Sequence, residues 1–337
     1  MSEKTVGEAY DRWLSASASR KNASTLENYR SSTGRFADKN ADRCIESIDE
    51  DDVDEHLDWI LNQGEWSKST QVLRYQGFKA FWRWLYKDKR WIDHNPTDRV
   101  SIYDVEEYSA NYTRKADELK AKNGIVFVEA DEVEQVARHV RPPRIRNELM
   151  VKLAFQTGLR PVELCRVKCQ DINYEERRIK VKTAKRDKAH YRDVWYRESL
   201  DMLMERWKTD RKSRLLDDTP FFFTTNRSGS GGSTNVGTSA FRDTVVYAAE
   251  DAGIQDVIYT TKVEVERDGE TQIQHHDHRR VTPHALRHGF AVSCVRDGMD
   301  IRSLQLLMGH SKIETTSKYL DLDGETLKNK VDRFGPA

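Results

Sequence analysis

From Val6 to Leu85 the apolar residues recur at helical spacing, which commits the first part of this chain to packed helices. Val6, Ala9, Tyr10, Trp13 and Leu14 form one such run, and Thr25 opens a second through Leu26, Tyr29 and Phe36. Asp49 reads as an N-cap ahead of Val53, Leu57, Ile60 and Leu61, and Gly64 stops that helix. Ser67 reads as the cap of a long helix carrying Val72, Tyr75, Phe78, Phe81, Trp82 and Leu85, and Asn95-Pro96 ends the unit. The aromatics from Tyr75 to Trp91 read as core rather than stacking platforms. Arg20, Lys21, Lys68, Arg74, Lys79, Arg83 and Lys87 fit either solvated helix faces or phosphate contacts, and composition alone favours the first.

The remainder is organised differently. Residues 100–127 are polar, rich in Glu and Lys, and read as a connector between a helical domain over 1–99 and a second domain over 128–337. In the second domain Asp131 reads as the cap of a helix through Val133, Val136 and Val140, broken by Pro142-Pro143 and followed by another through Leu149, Leu153 and Phe155. Pro161 sits where a first-turn proline is harmless, just after Thr157-Gly158-Leu159-Arg160. Short strands follow at Ile172, at Ile179 and Val181, and from Tyr191 to Trp195, with Arg186-Asp187-Lys188 in the last turn. Helices are expected over about 199–212 and 236–252, separated by a Gly/Ser-rich loop at 226–234. Val257 to Val281 alternates like a hairpin around Asp268-Gly269. Three short helices and a tail from Leu320 complete the pattern, so the expected class is mainly α with a small antiparallel β-sheet.

Composition excludes some functions. Charged residues are 33% of 337 and cancel to a formal net charge of zero, so only local clusters can argue for a polyanion partner. The cysteines Cys44, Cys165, Cys169 and Cys294 form no short framework. Cys165 and Cys169, four apart, read as one packed helix face in a reducing compartment, and a cytoplasmic location is expected. There is no signal-like start and no run near the roughly 18 apolar residues of a membrane span. His275, His276 and His278 cluster in the hairpin, but no Cys or carboxylate stands at a recognised metal-ligand spacing beside them.

The chemistry concentrates in Pro283 to Tyr319. It reads Pro283-His284-Ala285-Leu286-Arg287-His288, then Leu307-Met308-Gly309-His310, then Thr315-Thr316-Ser317-Lys318-Tyr319. A phosphodiester can be opened without a metal by a nucleophile, an acid for the leaving oxygen, and cations on the non-bridging oxygens. A phenol is a poor nucleophile while protonated, with a reference pKa of about 10, and improves beside cations and a base. Guanidinium suits phosphate because its planar fork donates two parallel hydrogen bonds and stays charged. Arg160 at a helix start, Arg287, and the lysines of the basic stretch 177–192 supply the cations.

These residues resemble the tyrosine recombinase, or phage-type integrase, family. Thr157-Gly158-Leu159-Arg160-x-x-Glu163-Leu164 is similar to its first arginine box and Pro283-His284-x-Leu286-Arg287-His288 to its second. Gly309-His310-Ser311, with Tyr319 nine residues after His310, is similar to its third. The resemblance implies an N-terminal helical core-binding (SAM-like) domain and an α+β catalytic domain. It implies Tyr319 as nucleophile forming a 3′-phosphotyrosyl bond, Arg160 and Arg287 on the non-bridging oxygens, and His310 on the phosphate. It further implies Lys185 as acid to the leaving 5′ oxygen, His284 assisting proton transfer at the tyrosine, and Glu163 orienting the arginine helix. Lys185 lies 25 residues after Arg160, and Lys182 and Lys188 are its rivals. No cofactor is implied. Implied partners are double-stranded DNA, a homo-tetramer on paired sites and an accessory directionality factor, and no membrane. The tail residues Leu322, Leu327, Val331 and Phe334 could dock on a neighbouring subunit or pack within their own. A type IB topoisomerase and a non-catalytic DNA-binding protein on the same fold are the alternatives. The segment 257–281 departs from compact members of the family.

Overall fold

The computed structural model describes residues 4–320 except 64–65, 67, 100–123, 184–190, 215–218, 226–234 and 268–269. Gly64, Ser67, residues 100–123 of the expected connector, Lys185, the turn Arg186-Asp187-Lys188, the Gly/Ser-rich loop 226–234, Asp268-Gly269 and the apolar tail residues therefore lie outside the described residues. Two compact units account for the chain, one comprising 1–124 with 261–276 and the other 125–260 with 277–337.

In the first unit, α1 (Val6–Ala18), α2 (Ala23–Lys39), α3 (Glu50–Leu61) and α4 (Lys68–Arg83) close on an aromatic core. Side chains able to accept from the orphan N–H groups set the helix starts. Thr5 accepts from Glu8, and Asp49 and Asp52 form a reciprocal capping box. The second helix starts two residues before the expected Thr25, because Asn22 accepts from the Thr25 N–H at 2.8 Å. After Arg83 the chain widens into a π-turn, Trp84–Lys89, and leaves through Arg90 at φ 53°.

Phe36, Tyr75, Phe78, Phe81 and Trp82 are buried, with Phe36 and Phe78 edge to face at 5.0 Å. The aromatics of α4 are core, as their spacing suggests. Of the expected phosphate-contact residues, Arg20, Lys21, Arg83 and Lys87 are exposed. Arg74 is half-buried, bonded to Asn28 at 3.2 Å and seated over Trp66.

His56 is a buried titratable group of this core. Its Nε2–H donates to the Ser32 carbonyl at 2.9 Å, and Phe36, Trp59 and Phe78 surround the ring. Burial pushes its pKa down from 6.5 to about 4. A group depressed on folding contributes stability above its unfolded pKa that is lost as pH falls through the folded one, here roughly 3 kcal/mol between pH 6.5 and 4. Six of the eight tryptophans lie in residues 1–99, so urea unfolding followed by tryptophan fluorescence reports mainly on this unit. A His56→Leu variant is expected to lose distinctly less stability than the wild type on acidification from pH 7 to 4.5.

The second unit is built around two helices with almost no exposed face. They are α6 (Arg144–Thr157) and α10 (Pro283–Arg296). Both are buried on most sides, which explains why neither shows a single apolar stripe. Around them pack α5 (Ala130–Arg138), the short α7 (Pro161–Cys165), α8 (Asp201–Arg214), α9 (Thr238–Asp251), α11 (Ile301–Met308) and α12 (Glu314–Ser317). A three-stranded antiparallel sheet joins β1 (Ile172–Asn173), β2 (Arg178–Lys182) and β3 (Tyr191–Trp195), with Ile179 opposite Val194. β4 (Val257–Arg267) and β5 (Glu270–Arg279) pair as the expected hairpin, of which only 257–260 and 277–279 belong to this unit, where Tyr259 stacks on His278 at 4.1 Å. Among the described residues no helix is long and apolar enough to cross a membrane.

Three local expectations are corrected here. The cap of α5 is Glu129, not Asp131, because Glu129 and Glu132 satisfy each other's backbone reciprocally. Cys165 and Cys169 do not share a helix. α7 ends at Cys165 because the next residues pair elsewhere: Phe222 N–H donates to the Val167 carbonyl at 2.8 Å and Cys169 N–H to Pro220 at 2.9 Å. α10, expected to be short, runs for 14 residues.

Candidate active site

Every described member of the site belongs to the second unit, and backbone geometry places each one. Gly158, at φ 59°, ends α6 in the left-handed conformation, and the chain turns at once into α7 with Arg160 at its N-cap and Pro161 at its first position. Thr282 caps α10 through the Ala285 N–H, which fixes His284, Arg287 and His288 within its first two turns. Gly309, at φ 63°, ends α11 and leaves its last carbonyls without helical partners.

Those carbonyls end on three guanidiniums. Arg192 Nε–H donates to Leu307 at 2.8 Å, an Arg287 terminal N–H to Met308 at 2.7 Å, and an Arg160 terminal N–H to Gly309 at 3.0 Å. The partial negative charge of a helix C-terminus favours such an arrangement. Glu163 ties two of the three together: it accepts from Arg160 at 3.1 Å and from Arg192 at 3.1 and 2.8 Å, and its other bond, at 2.9 Å, is to the Arg160 backbone N–H. Its side chain is fully buried. Burial opposes its charge, but hydrogen bonds and charge from Arg192, then Arg160, hold the carboxyl below its ordinary range.

The cationic cluster is under-compensated. Glu163 is the one carboxylate hydrogen-bonded to it among the described contacts. Arg287 also donates to the Gly158 carbonyl and has only 3% of its surface exposed. Burial first, then repulsion from Arg160, pushes its pKa from 12.5 down to about 9, with Arg192 adding to the repulsion. An anion arriving here would relieve that repulsion. His310 accepts from Arg287 at Nε2, 3.0 Å, so its neutral ring carries the proton on Nδ1 and donates to Thr316 Oγ1 at 2.9 Å. Burial, followed by the charges of Arg287 and Arg160, pushes its pKa down to about 4.

Tyr319 closes the site. It is buried, 3% exposed, and its hydroxyl lies 2.6 Å from Nδ1 of His288. Burial raises its pKa, and the charges of Arg287 and Arg160 pull against that rise.

Arg160, Arg287, His310 and Tyr319 are thus brought together. Lys185 is outside the described residues, whereas its rival Lys182 is exposed at the end of β2. His284 is exposed, one turn before His288. Two members were not anticipated. His288 could have been found from its four-residue spacing after His284, which puts both on one helix face. Arg192 could have been found from strand alternation. It shares a face with buried Val194, opposite exposed Tyr191 and Trp195, and a cation on an inward position asks for a buried partner.

Gly309 is held in place by these contacts. A Cβ there would stand 2.9 Å from the Arg192 guanidinium, in a backbone conformation that L side chains rarely adopt. Gly309→Ala is expected to cost about 1–2 kcal/mol, measured as a lowered melting temperature, and to reduce any reaction that depends on Arg160.

A model of the phage integrase family matches residues 126–325, and a model of the phage integrase N-terminal SAM-like domain matches residues 10–93. Tyrosine recombinase XerA of Pyrococcus furiosus is 30% identical over 203 residues, 60% of this chain and 59% of that relative, so the match spans less than two thirds of it. Tyrosine recombinase XerC of Corynebacterium glutamicum is 25% identical over 319 residues, covering 94% of this chain and 87% of the relative. The structure of the Tn1549 transposon integrase in complex with a circular intermediate DNA superposes at TM-score 0.63, with 18% identity over 98% of this chain and 99% of that one. XerH site-specific recombinase bound to palindromic difH substrate superposes at 0.59, with 20% identity over 92% and 80%. At these identities the two structures establish a common fold, mainly helical with small antiparallel sheets.

Proposed function

The chain belongs to the phage integrase family of tyrosine recombinases, and on that premise we propose that it cuts and rejoins duplex DNA at specific sites through a 3′-phosphotyrosyl intermediate on Tyr319. The observation that carries this reading is a buried phenol beside three guanidiniums, two of them tied to a single carboxylate and the third, Arg287, held by backbone carbonyls and His310. Such a cluster favours an anion and, more strongly, the charge that accumulates on phosphorus-bound oxygens during displacement.

In the reaction Arg160 and Arg287 hold the non-bridging oxygens. His310, whose ring already faces Arg287, adds a hydrogen bond to the phosphate. Tyr319 attacks phosphorus, the 5′ oxygen leaves, and Lys185 supplies its proton. His284 is exposed on α10, where it meets the bound strand near the same phosphate and assists proton transfer. The covalent bond conserves the cleavage energy for rejoining, so the reaction needs neither a nucleotide nor a metal. Residues 1–99 are a DNA-binding domain joined by 100–127 to a catalytic domain over 128–337.

Exchange between two duplexes requires four strand cuts, and each chain brings one Tyr319, so the working assembly is a homo-tetramer on paired sites. An accessory factor can set the direction of exchange in that assembly. The protein works in the cytoplasm.

The test has two parts. DNA trapped covalently on the protein in cells is recovered and sequenced, then built into nicked suicide duplexes and into plasmids carrying paired sites. The expected results are a denaturant-resistant 3′ adduct mapping to the Tyr319 peptide and strand-exchanged products from paired sites. Relaxation of supercoiled plasmid by a monomer, without exchanged products, would replace this reading with a topoisomerase. DNA binding with no adduct would replace it with a non-catalytic role.

A further inference from the structure

We propose that Nδ1 of His288 takes the phenolic proton of Tyr319 as the nucleophile attacks phosphorus. The proposal rests on the recombinase reading and identifies the base within it. In the step, the bond from Tyr319 Oη to phosphorus forms and the bond from phosphorus to the 5′ oxygen breaks. The phenolic proton passes to His288 Nδ1, and the leaving oxygen receives a different proton from the acid assigned to Lys185. Rejoining runs the same transfers backwards, with the His288 proton returning to Oη.

Geometry is the first support. The separation of 2.6 Å is within the reach required of a general base, and the pair is assembled before any DNA arrives. α10 carries His288 in its second turn, among the buried neighbours Arg287 and Gly289. A Cβ on Gly289 would collide with the Val128 carbonyl at 2.3 Å, so the backbone beside His288 is closely packed.

Elimination is the second support. His310 has both ring nitrogens committed, to Arg287 and to Thr316, so it has no free lone pair for the phenol. Arg160, Arg192 and Arg287 are donors only. His284 is exposed on α10 while the phenol is buried against His288, so its part in the proton transfer comes after the first acceptance by His288. Glu163 is occupied by Arg160 and Arg192.

The charge state agrees with this role. Burial, then the charges of His284 and Arg287, pushes the His288 pKa down to about 4, so the ring is neutral near pH 7 and offers a lone pair. A phosphodiester seated on Arg287 and Arg160 offsets part of the field that disfavours the imidazolium. The proton affinity of His288 therefore rises when the substrate is bound.

The experiment follows single-turnover cleavage on nicked suicide duplexes. His288→Asn places an amide oxygen near the position of Nδ1, preserving an acceptor for Tyr319 without a base. It is expected to keep the wild-type melting temperature and DNA affinity and to lose about a hundredfold or more in cleavage rate. The loss should be equal on substrates with a 5′ oxygen and with a 5′-bridging sulfur, because sulfur removes the need for the acid and not for the base. In a second variant, His288→Ala, added imidazole should restore part of the rate.

Cleavage by His288→Asn at the wild-type rate would overturn the proposal, as would a loss that vanishes on the 5′-sulfur substrate. If His288→Asn does not fold, the Ala variant decides: DNA binding with no rescue by imidazole also overturns it. Failure of the wild type to form any adduct would instead overturn the recombinase reading itself.

Discussion

Tyr319→Phe is expected to form no covalent adduct on nicked DNA while binding it as the wild type does. The substitution removes one oxygen from a side chain that is already packed against Ala291, Val292, Leu304 and Met308. The ring keeps its place, so the fold loses only the hydrogen bond to His288, at a cost of about 1 kcal/mol. Activity has no such margin, because no other described side chain presents a hydroxyl to His288 in this cluster. The measurement is denaturing electrophoresis of the adduct beside a binding isotherm on the same duplex. An adduct that persists in the Phe variant would move the nucleophile elsewhere and remove the central assignment.

Glu163→Ala carries the largest expected effect on stability. Arg160 and Arg192 are 17% and 9% exposed at their side chains, and both rely on this carboxylate. Removing one partner from a buried ion pair leaves uncompensated charge, which costs about 3–5 kcal/mol. Urea unfolding of the second unit should show a loss of this size at pH 7. Glu163 is depressed on folding, so its contribution is present above the unfolded carboxyl pKa and disappears as pH falls through the folded value. The gap between wild type and variant should therefore narrow in acid. Glu163→Gln keeps the shape and one acceptor oxygen but not the charge; it should fold better than the Ala variant and still cleave slowly. A variant as stable as the wild type at pH 7 would show that Arg160 and Arg192 find other partners.

The parts legible in the sequence share a physical property: they are local. The cap at Asp49, the first-turn proline Pro161, the helical runs of the first unit, and the order β1, β2, β3 depend on neighbours within a few residues. The boxes around Arg160, Arg287 and Tyr319 are legible because chemistry fixes residue type at short spacing. What was misread depended on partners far along the chain. Cys165 and Cys169 looked like one helix face until residues 167–169 were seen to pair with 220–222. Glu129 was passed over because glutamate is a poor cap unless a second acid answers it, as Glu132 does here. His288 stands in the same box as His284, and the resemblance gives proton transfer to His284, whereas the ring at the phenol is that of His288.

The end of α11 has a consequence for when in its life the molecule can act. Its three carbonyls are met by side chains 149, 115 and 21 residues away in the chain. No early fragment and no partly folded chain possesses these contacts, whereas the phenol alone exists as soon as residue 319 is made. A nascent or damaged copy therefore carries the group that could break a genome but not the arrangement that lets it. Reactivity toward DNA is a property of the completed fold alone, and partial unfolding of the second unit should switch it off before the chain lets go of its helices.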